Sequence, residues 1–213
     1  MQAVRISAIR HGETDWNAAS RVQGHTDIAL NARGLAQAAR LAQALGGDAP
    51  QAIYCSDLRR AQQTAQAIAD ATGAPLHTAQ ALRERCFGGF EGQSFQELNE
   101  RFPEDAKQWR RRVPDWAPPG GGESLLAFRA RILAAVEQCA ATHLGQHIAI
   151  VTHGGALDVL YRAATGLGLQ DARTWQLANA AINRLLWTPD RGLTLVGWAD
   201  NAHLQDAPLN GDM

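Results

Sequence analysis

Lysine is almost absent from this chain. Lys107 is the only one, so nearly all positive charge is guanidinium. Compositional drift alone produces such a bias, and it carries no functional weight by itself. An excess of either sign is missing too: 20 basic against 21 acidic residues leave a net charge of −1. Nothing global therefore attracts nucleic acid or an anionic membrane. Cysteine is scarce, and Cys55, Cys86 and Cys139 are too few and too scattered for a disulfide framework. Their separation also excludes a local Cys-x-x-Cys zinc knuckle. No apolar run approaches the ~18 residues that span a bilayer. Arg5 and Arg10 interrupt the stretch where the apolar core of a signal peptide would lie. These absences predict a soluble, reduced, cytoplasmic protein with no membrane or nucleic-acid partner, and they leave its oligomeric state open.

What the chain does have is an ordinary globular balance, 46% hydrophobic and 19% charged over 213 residues. That length suits one domain, residues 1–213, with a substantial core. Val4 to Ile9, "QAIYCS" (51–56) and "HIAIVT" (147–152) read as short buried strands, and near-continuous apolar runs suit a sheet covered on both faces. Helical spacing lies between them. Leu35, Ala38, Ala42 and Leu45 share a face behind an Asn31 cap and ahead of Gly46–Gly47. Leu58, Ala61, Ala65 and Ile68 repeat the pattern after Ser56 and stop at Gly73. Leu125, Phe128, Ile132, Val136 and Cys139 form a third stripe ended by Gly145, and Leu157, Leu160 and Ala164 a fourth closed by Gly166. Late strands are expected at Ile182–Trp187 and Leu193–Trp198 around the turn "TPDRG". Strands alternating with helices predict an α/β fold, a three-layer α/β/α sandwich on a mostly parallel central sheet. Residues 85–122 break the rhythm and read as a cap-like insertion over one sheet edge. The tail after Asp200 is polar and reads as loose.

Ligands of open α/β sheets gather at the carboxyl ends of strands. Here the first strand ends in Arg10–His11–Gly12. The second delivers Arg59 and Arg60 to the first turn of a helix, and the third delivers His153 in "THGG" (152–155). A lone histidine after a strand is usually structural, and arginines opening a helix are usually solvated. Three complementary clusters on parallel strands instead predict an anion site, with phosphate the natural occupant. Glycines directly after both histidines are expected to let a ligand approach the backbone.

The motifs "RHGETDWN", "RVQGHTDIALNARG", "SDLRRAQQTA", "LRERCFGGFEG", "GGES" and "VTHGG" stand in this order from about Arg5 to His203. In them the chain resembles the histidine phosphatase superfamily, which includes cofactor-dependent phosphoglycerate mutases and fructose-2,6-bisphosphatases. The resemblance implies that His11 is the nucleophile and forms a phosphohistidine, chemistry open to a neutral imidazole. It implies that Arg10, Arg60 and His153 hold the phosphoryl oxygens. Arg60 is chosen over Arg59 because it directly precedes the small residue Ala61. Glu84 matches the acid/base that protonates the leaving oxygen and then activates water. Alone, a Glu between two arginines would read as a surface ion pair. Asn17, Gln23 and Gly24 match the loop that closes on the phosphate, and a structural turn fits them equally. Gly154 follows His153 at the same site. Glu123 of "GGES" stands where it could orient an arginine or the substrate, or simply charge a helix N-terminus. No metal and no cofactor is implied, and the partner is a small phosphorylated metabolite.

Other features read as bland. Asp57, His25, His143 and His147 are structural or solvated, and the part played by His203 is open. Arg110, Arg111 and Arg112 either meet a substrate carboxylate or second phosphate or, more simply, form a solvated helix face. "FGGFEGQSFQEL" resembles the phosphatase branch of the family, with Phe90 where that motif carries tryptophan. Hydrolysis of phosphate monoesters is therefore favoured over a phosphoglycerate mutase, and a non-catalytic phosphate-binding module is the third reading. Phosphorylated sugars, α-ribazole phosphate and phosphoglycerates all remain open as substrates. A cysteine phosphatase would need Cys-x5-Arg, but the corresponding positions hold Ala61, Gly92 and Gly145. No Gly-Lys pair exists for a P-loop.

Overall fold

The computed structural model describes residues 2–205. Six strands, β1 (Val4–Arg10), β2 (Ala52–Cys55), β3 (Leu76–Thr78), β4 (His147–Thr152), β5 (Ile182–Thr188) and β6 (Gly192–Asp200), form one sheet in the order β3-β2-β4-β1-β5-β6. β1, β4, β2 and β3 run parallel, and β5 and β6 are added antiparallel beside β1. The helices are α1 (Asp15–Ala18), α2 (Ala32–Gly46), α3 (Arg59–Thr72), α4 (Phe95–Arg101), α5 (Pro103–Arg110), α6 (Leu125–Ala141) and α7 (Gly154–Thr165). None of the described helices is long and apolar enough to cross a membrane.

The continuous apolar run of β4 has a simple cause. Side chains alternate across the sheet. Ile148 and Ile150 point to the layer of α6 and α7, where they meet Phe128, Ile132, Leu157 and Leu160. Ala149 and Val151 point to the opposite layer, among Leu41, Leu45, Ala65 and Ile68 of α2 and α3. Both faces are covered, so every residue of β4 is buried. This is the three-layer α/β/α arrangement that alternating strands and helices predict.

Caps and stops follow the local chemistry. The Asn31 side chain accepts from the Gly34 N–H and opens α2. Gly73 and Gly166 close α3 and α7 at φ +70° and +72°. Two boundaries differ. α3 starts at Arg59 behind Leu58 with no side-chain cap, and α6 ends at Ala141, short of Gly145. β3 and α1 were not expected, because elements of three or four residues show no periodicity.

Segment 85–122 carries α4 and α5. They close over a small aromatic core of their own, in which Phe90 is fully buried beside Phe102, Trp109 and Trp116. Past β6, Ala202–Leu204 form a short turn that the His203 ring ties to the Ala180 carbonyl at 3.0 Å. The rest of the tail expected to be loose lies outside the described residues.

Candidate active site

Parallel pairing sets the site. Arg10 pairs with Thr152 in register, so His11 and His153 leave neighbouring strands side by side, with ring centroids 5.1 Å apart. Both rings are buried. Nδ1 of His11 lies 2.7 Å from the Gly12 carbonyl, an acceptor only, so this nitrogen carries the proton. Burial, then the charges of Arg60 and Arg10, push the His11 pKa well below its ordinary value. The ring is therefore neutral, with a bare lone pair on Nε2. His153 is the complement. Its Nδ1 faces Nε of Arg60 at 3.3 Å, and a guanidinium can only donate. The His153 proton is consequently on Nε2, which is buried and has no protein partner. Burial and Arg60 hold this ring neutral as well.

Arg60, delivered by the first turn of α3, is 1% exposed. It donates to the Gly24 carbonyl at 2.7 Å and the Thr26 carbonyl at 2.8 Å, while burial lowers its pKa to about 10. Arg59 is exposed, as its position on the helix surface suggests. Arg10 donates to the Leu177 carbonyl, and its Nε is buried without a partner. Glu84 accepts from the Arg85 and Gly155 backbone N–H groups, both at 2.8 Å, which fixes its carboxylate at the N-terminus of α7.

These groups line one cavity of about 740 Å³, together with Asn17, Gln23, Gly24 and Gly154. Asn17 completes a capping box with Thr14 and lies 3.3 Å from the Asn179 side-chain amide. Gln23 Oε1 is buried and unpartnered. Glu123 has a different place. Outside the cavity wall, it grips Arg131 at 2.9 and 2.7 Å, and Arg131 in turn donates to the carbonyls of Ala81, Arg83 and Glu84. Glu123 thus braces the segment carrying Glu84 through an arginine and is not among the residues that line the cavity.

The glycines also divide. Gly12 makes room for the chain and not for a ligand: a Cβ there would lie 2.5 Å from the Gly34 carbonyl oxygen. Gly154 has only ordinary neighbours, whereas a Cβ on Gly155 would strike Glu84 Oε1 at 2.2 Å. The arginine run splits as well. Arg111 is exposed, Arg110 reaches Asn99 at the cavity rim, and Arg112 turns inward to Asp158 at 2.6 Å.

Several residues of the site carry no sequence signal of their own. Thr64 accepts from the Gly12 N–H and donates to the Arg60 carbonyl, joining two clusters. Glu91 holds the 24–26 loop through the N–H groups of His25 and Thr26. Asn179 donates to the His11 carbonyl. Thr64 and Glu91 do lie inside the motifs "SDLRRAQQTA" and "LRERCFGGFEG", whereas Asn179 lies in none of them. Among the described residues no cluster of three or more His, Cys, Asp or Glu side chains forms a metal cage.

Comparison with known proteins agrees with this geometry. Residues 6–201 match the family model described as histidine phosphatase superfamily (branch 1). A metal-independent phosphoserine phosphatase of Arabidopsis thaliana is 37% identical over 205 residues, covering 95% of this chain and 84% of the relative. Phosphoglycerate mutase-like protein 4 of the same plant is 36% identical, covering 94% and 87%. Among solved structures, a phosphoserine phosphatase of Entamoeba histolytica in complex with 3-phosphoglyceric acid superposes with a TM-score of 0.83. It is 28% identical and covers 95% of this chain and 100% of that one.

Proposed function

Because the chain belongs to the histidine phosphatase superfamily, we propose that it is a metal-independent phosphomonoesterase that hydrolyses small phosphorylated metabolites through a phosphohistidine at His11. One observation carries the assignment of roles. The two buried rings hold opposite tautomers, so His11 offers a lone pair where His153 offers a proton.

In the first step His11 Nε2 forms a bond to phosphorus as the ester P–O bond breaks in line. Glu84 gives its proton to the leaving oxygen. Arg10, Arg60 and the free Nε2–H of His153 face the phosphoryl oxygens, where preorganised donors act most strongly. In the second step water attacks phosphorus, Glu84 takes the proton of that water, and the N–P bond breaks to release inorganic phosphate. Asn17, Gln23 and the backbone at Gly24 complete the wall around the phosphoryl group. The setting we read as cytoplasmic and reducing, supported by three free cysteines, of which Cys55 and Cys139 are buried.

The mutase-like relative supports a second reading, in which the phosphoryl group returns to a substrate. The test is p-nitrophenyl phosphate hydrolysis in EDTA, wild type beside His11→Ala, with acid-labile phosphate trapped on the protein as a second readout. Turnover and label are expected in wild type alone. Equal turnover in both proteins would remove His11 as nucleophile. A labelled wild type that does not release phosphate, but isomerises a phosphoglycerate, would establish the mutase.

A further inference from the structure

Glu84 stands on backbone that belongs to no helix and no strand. Residues 83–87 run irregularly between two short turns, Gln80–Leu82 and Gly88–Phe90. Such a segment has no ladder to satisfy its carbonyls, yet half-buried carbonyls need partners. One side chain supplies several of them. The Arg131 guanidinium, from the second turn of α6, donates to the carbonyls of Ala81 at 2.9 Å, Arg83 at 3.0 Å and Glu84 at 3.2 Å. Its other two N–H groups grip the Glu123 carboxylate at 2.9 and 2.7 Å. All five donors of the guanidinium are thereby engaged.

Glu123 completes the clasp with its own backbone. Its N–H donates to the Cys86 carbonyl at 2.9 Å, and its carbonyl accepts from Arg85 Nε at 2.6 Å. Both flanks of Glu84 are therefore fastened to one ion pair, whose side chains are mostly shielded from water. Neither Glu123 nor Arg131 lines the cavity. A pair that cannot touch the substrate, with every guanidinium donor committed to the clasp, reaches the reaction only through the place it gives Glu84.

We propose that Arg131 and Glu123 are positioning residues of the general acid, so that they govern turnover of phosphate esters with poor leaving groups and count for little where the leaving group needs no proton. The proposal rests on the phosphatase reading above. As the N–P bond to His11 forms and the P–O bond breaks, a phenolate or alkoxide oxygen takes the Glu84 proton. A dinitrophenolate departs with its electron pair and needs none. Proton transfer works only within hydrogen-bond reach, so a displaced carboxyl slows the first kind of ester selectively.

The experiment compares kcat/KM for phenyl phosphate and 2,4-dinitrophenyl phosphate, two aryl esters whose leaving groups differ widely in basicity. This ratio reports formation of the phosphohistidine and not its hydrolysis. The proteins are wild type, Glu84→Gln as the benchmark, Arg131→Met, Arg131→Lys and Glu123→Gln. Arg131→Met and Glu123→Gln should lose about tenfold or more on phenyl phosphate, part of the ~10²–10⁴ that general acid catalysis supplies, and less than about threefold on the dinitrophenyl ester. Arg131→Lys should fall between wild type and Arg131→Met, since an ammonium has three donors and no planar fork. Equal losses on both esters would mark the pair as merely structural and overturn the proposal, as would no loss on either. If Arg131→Met does not fold, Glu123→Gln and Arg131→Lys decide by the same comparison. Failure of the underlying reading is seen elsewhere: wild type would hydrolyse neither ester, or Glu84→Gln would show no selective loss, and either result overturns the proposal with it.

Discussion

At His11 and His153, burial and the neighbouring guanidiniums act in the same direction, holding each ring neutral. The unfolded chain carries both near the ordinary histidine value of 6.5. Below that pH the unfolded chain takes up protons that the native chain refuses, so stability falls as pH drops through about 6.5 and is fully present above it. His147 and His203, also lowered by burial, add to the same slope. A His153→Gln variant removes one contributor while its amide oxygen still accepts from Arg60. Urea midpoints measured between about pH 7.5 and 5 should therefore fall less steeply in the variant than in wild type. Identical slopes would mean that His153 titrates normally in the native state. None of this was legible in the sequence, which places the imidazoles but not their hydrogen-bond partners. The tautomers depend on a carbonyl one residue away and on an arginine 93 positions distant.

At the scale of elements, the start of α7 brings Glu84 and His153 together. Its second residue, Gly155, donates to Glu84 and leaves no room for a side chain, since a Cβ would sit 2.2 Å from Glu84 Oε1. The Gly155 φ is not in the left-handed region, so Gly155→Ala is a steric change and not a backbone one. It should displace the Glu84 carboxylate and lower kcat for p-nitrophenyl phosphate by ~10²-fold, the usual cost of misplacing a general acid. Far-UV circular dichroism should be unchanged. Full activity in Gly155→Ala would show that Glu84 has no fixed position in catalysis. Long elements such as β4 and α2 were readable because burial on both faces or on one stripe imposes a period on the sequence. The glycine roles were readable only as small residues near histidines. Which glycine yields to Gly34 and which to Glu84 depends on contacts between segments far apart in the chain. Likewise α4 and α5 were hidden inside segment 85–122, whose aromatic core organises it by tertiary packing and not by a helical stripe.

For the molecule as a whole, the joint between segment 85–122 and the sheet layers matters most. Arg112, at φ +52° after α5, and Arg162 of α7 donate to the same oxygen of Asp158, at 2.6 and 3.0 Å. Arg162 is buried against the Trp175 ring at 4.8 Å and also donates to carbonyls of the loop after α7. One carboxylate thus ties together segment 85–122, the helix that follows His153 and, through Arg162, the loop that follows that helix. Its own side chain is 6% exposed, so it is screened little by solvent. Removing it leaves two guanidiniums with no counter-charge, and breaking a buried pair in this way costs ~3–5 kcal/mol. Asp158→Ala is accordingly expected to lower the unfolding free energy by about that amount in urea titration. Arg112→Ala should cost less, because Asp158 keeps Arg162, yet it should speed limited proteolysis within residues 95–110. A small loss in Asp158→Ala, within about 1 kcal/mol of wild type, would place it with solvent-screened surface pairs. Unchanged proteolysis in Arg112→Ala would show that the aromatic cluster around Phe90 holds the segment down without this joint.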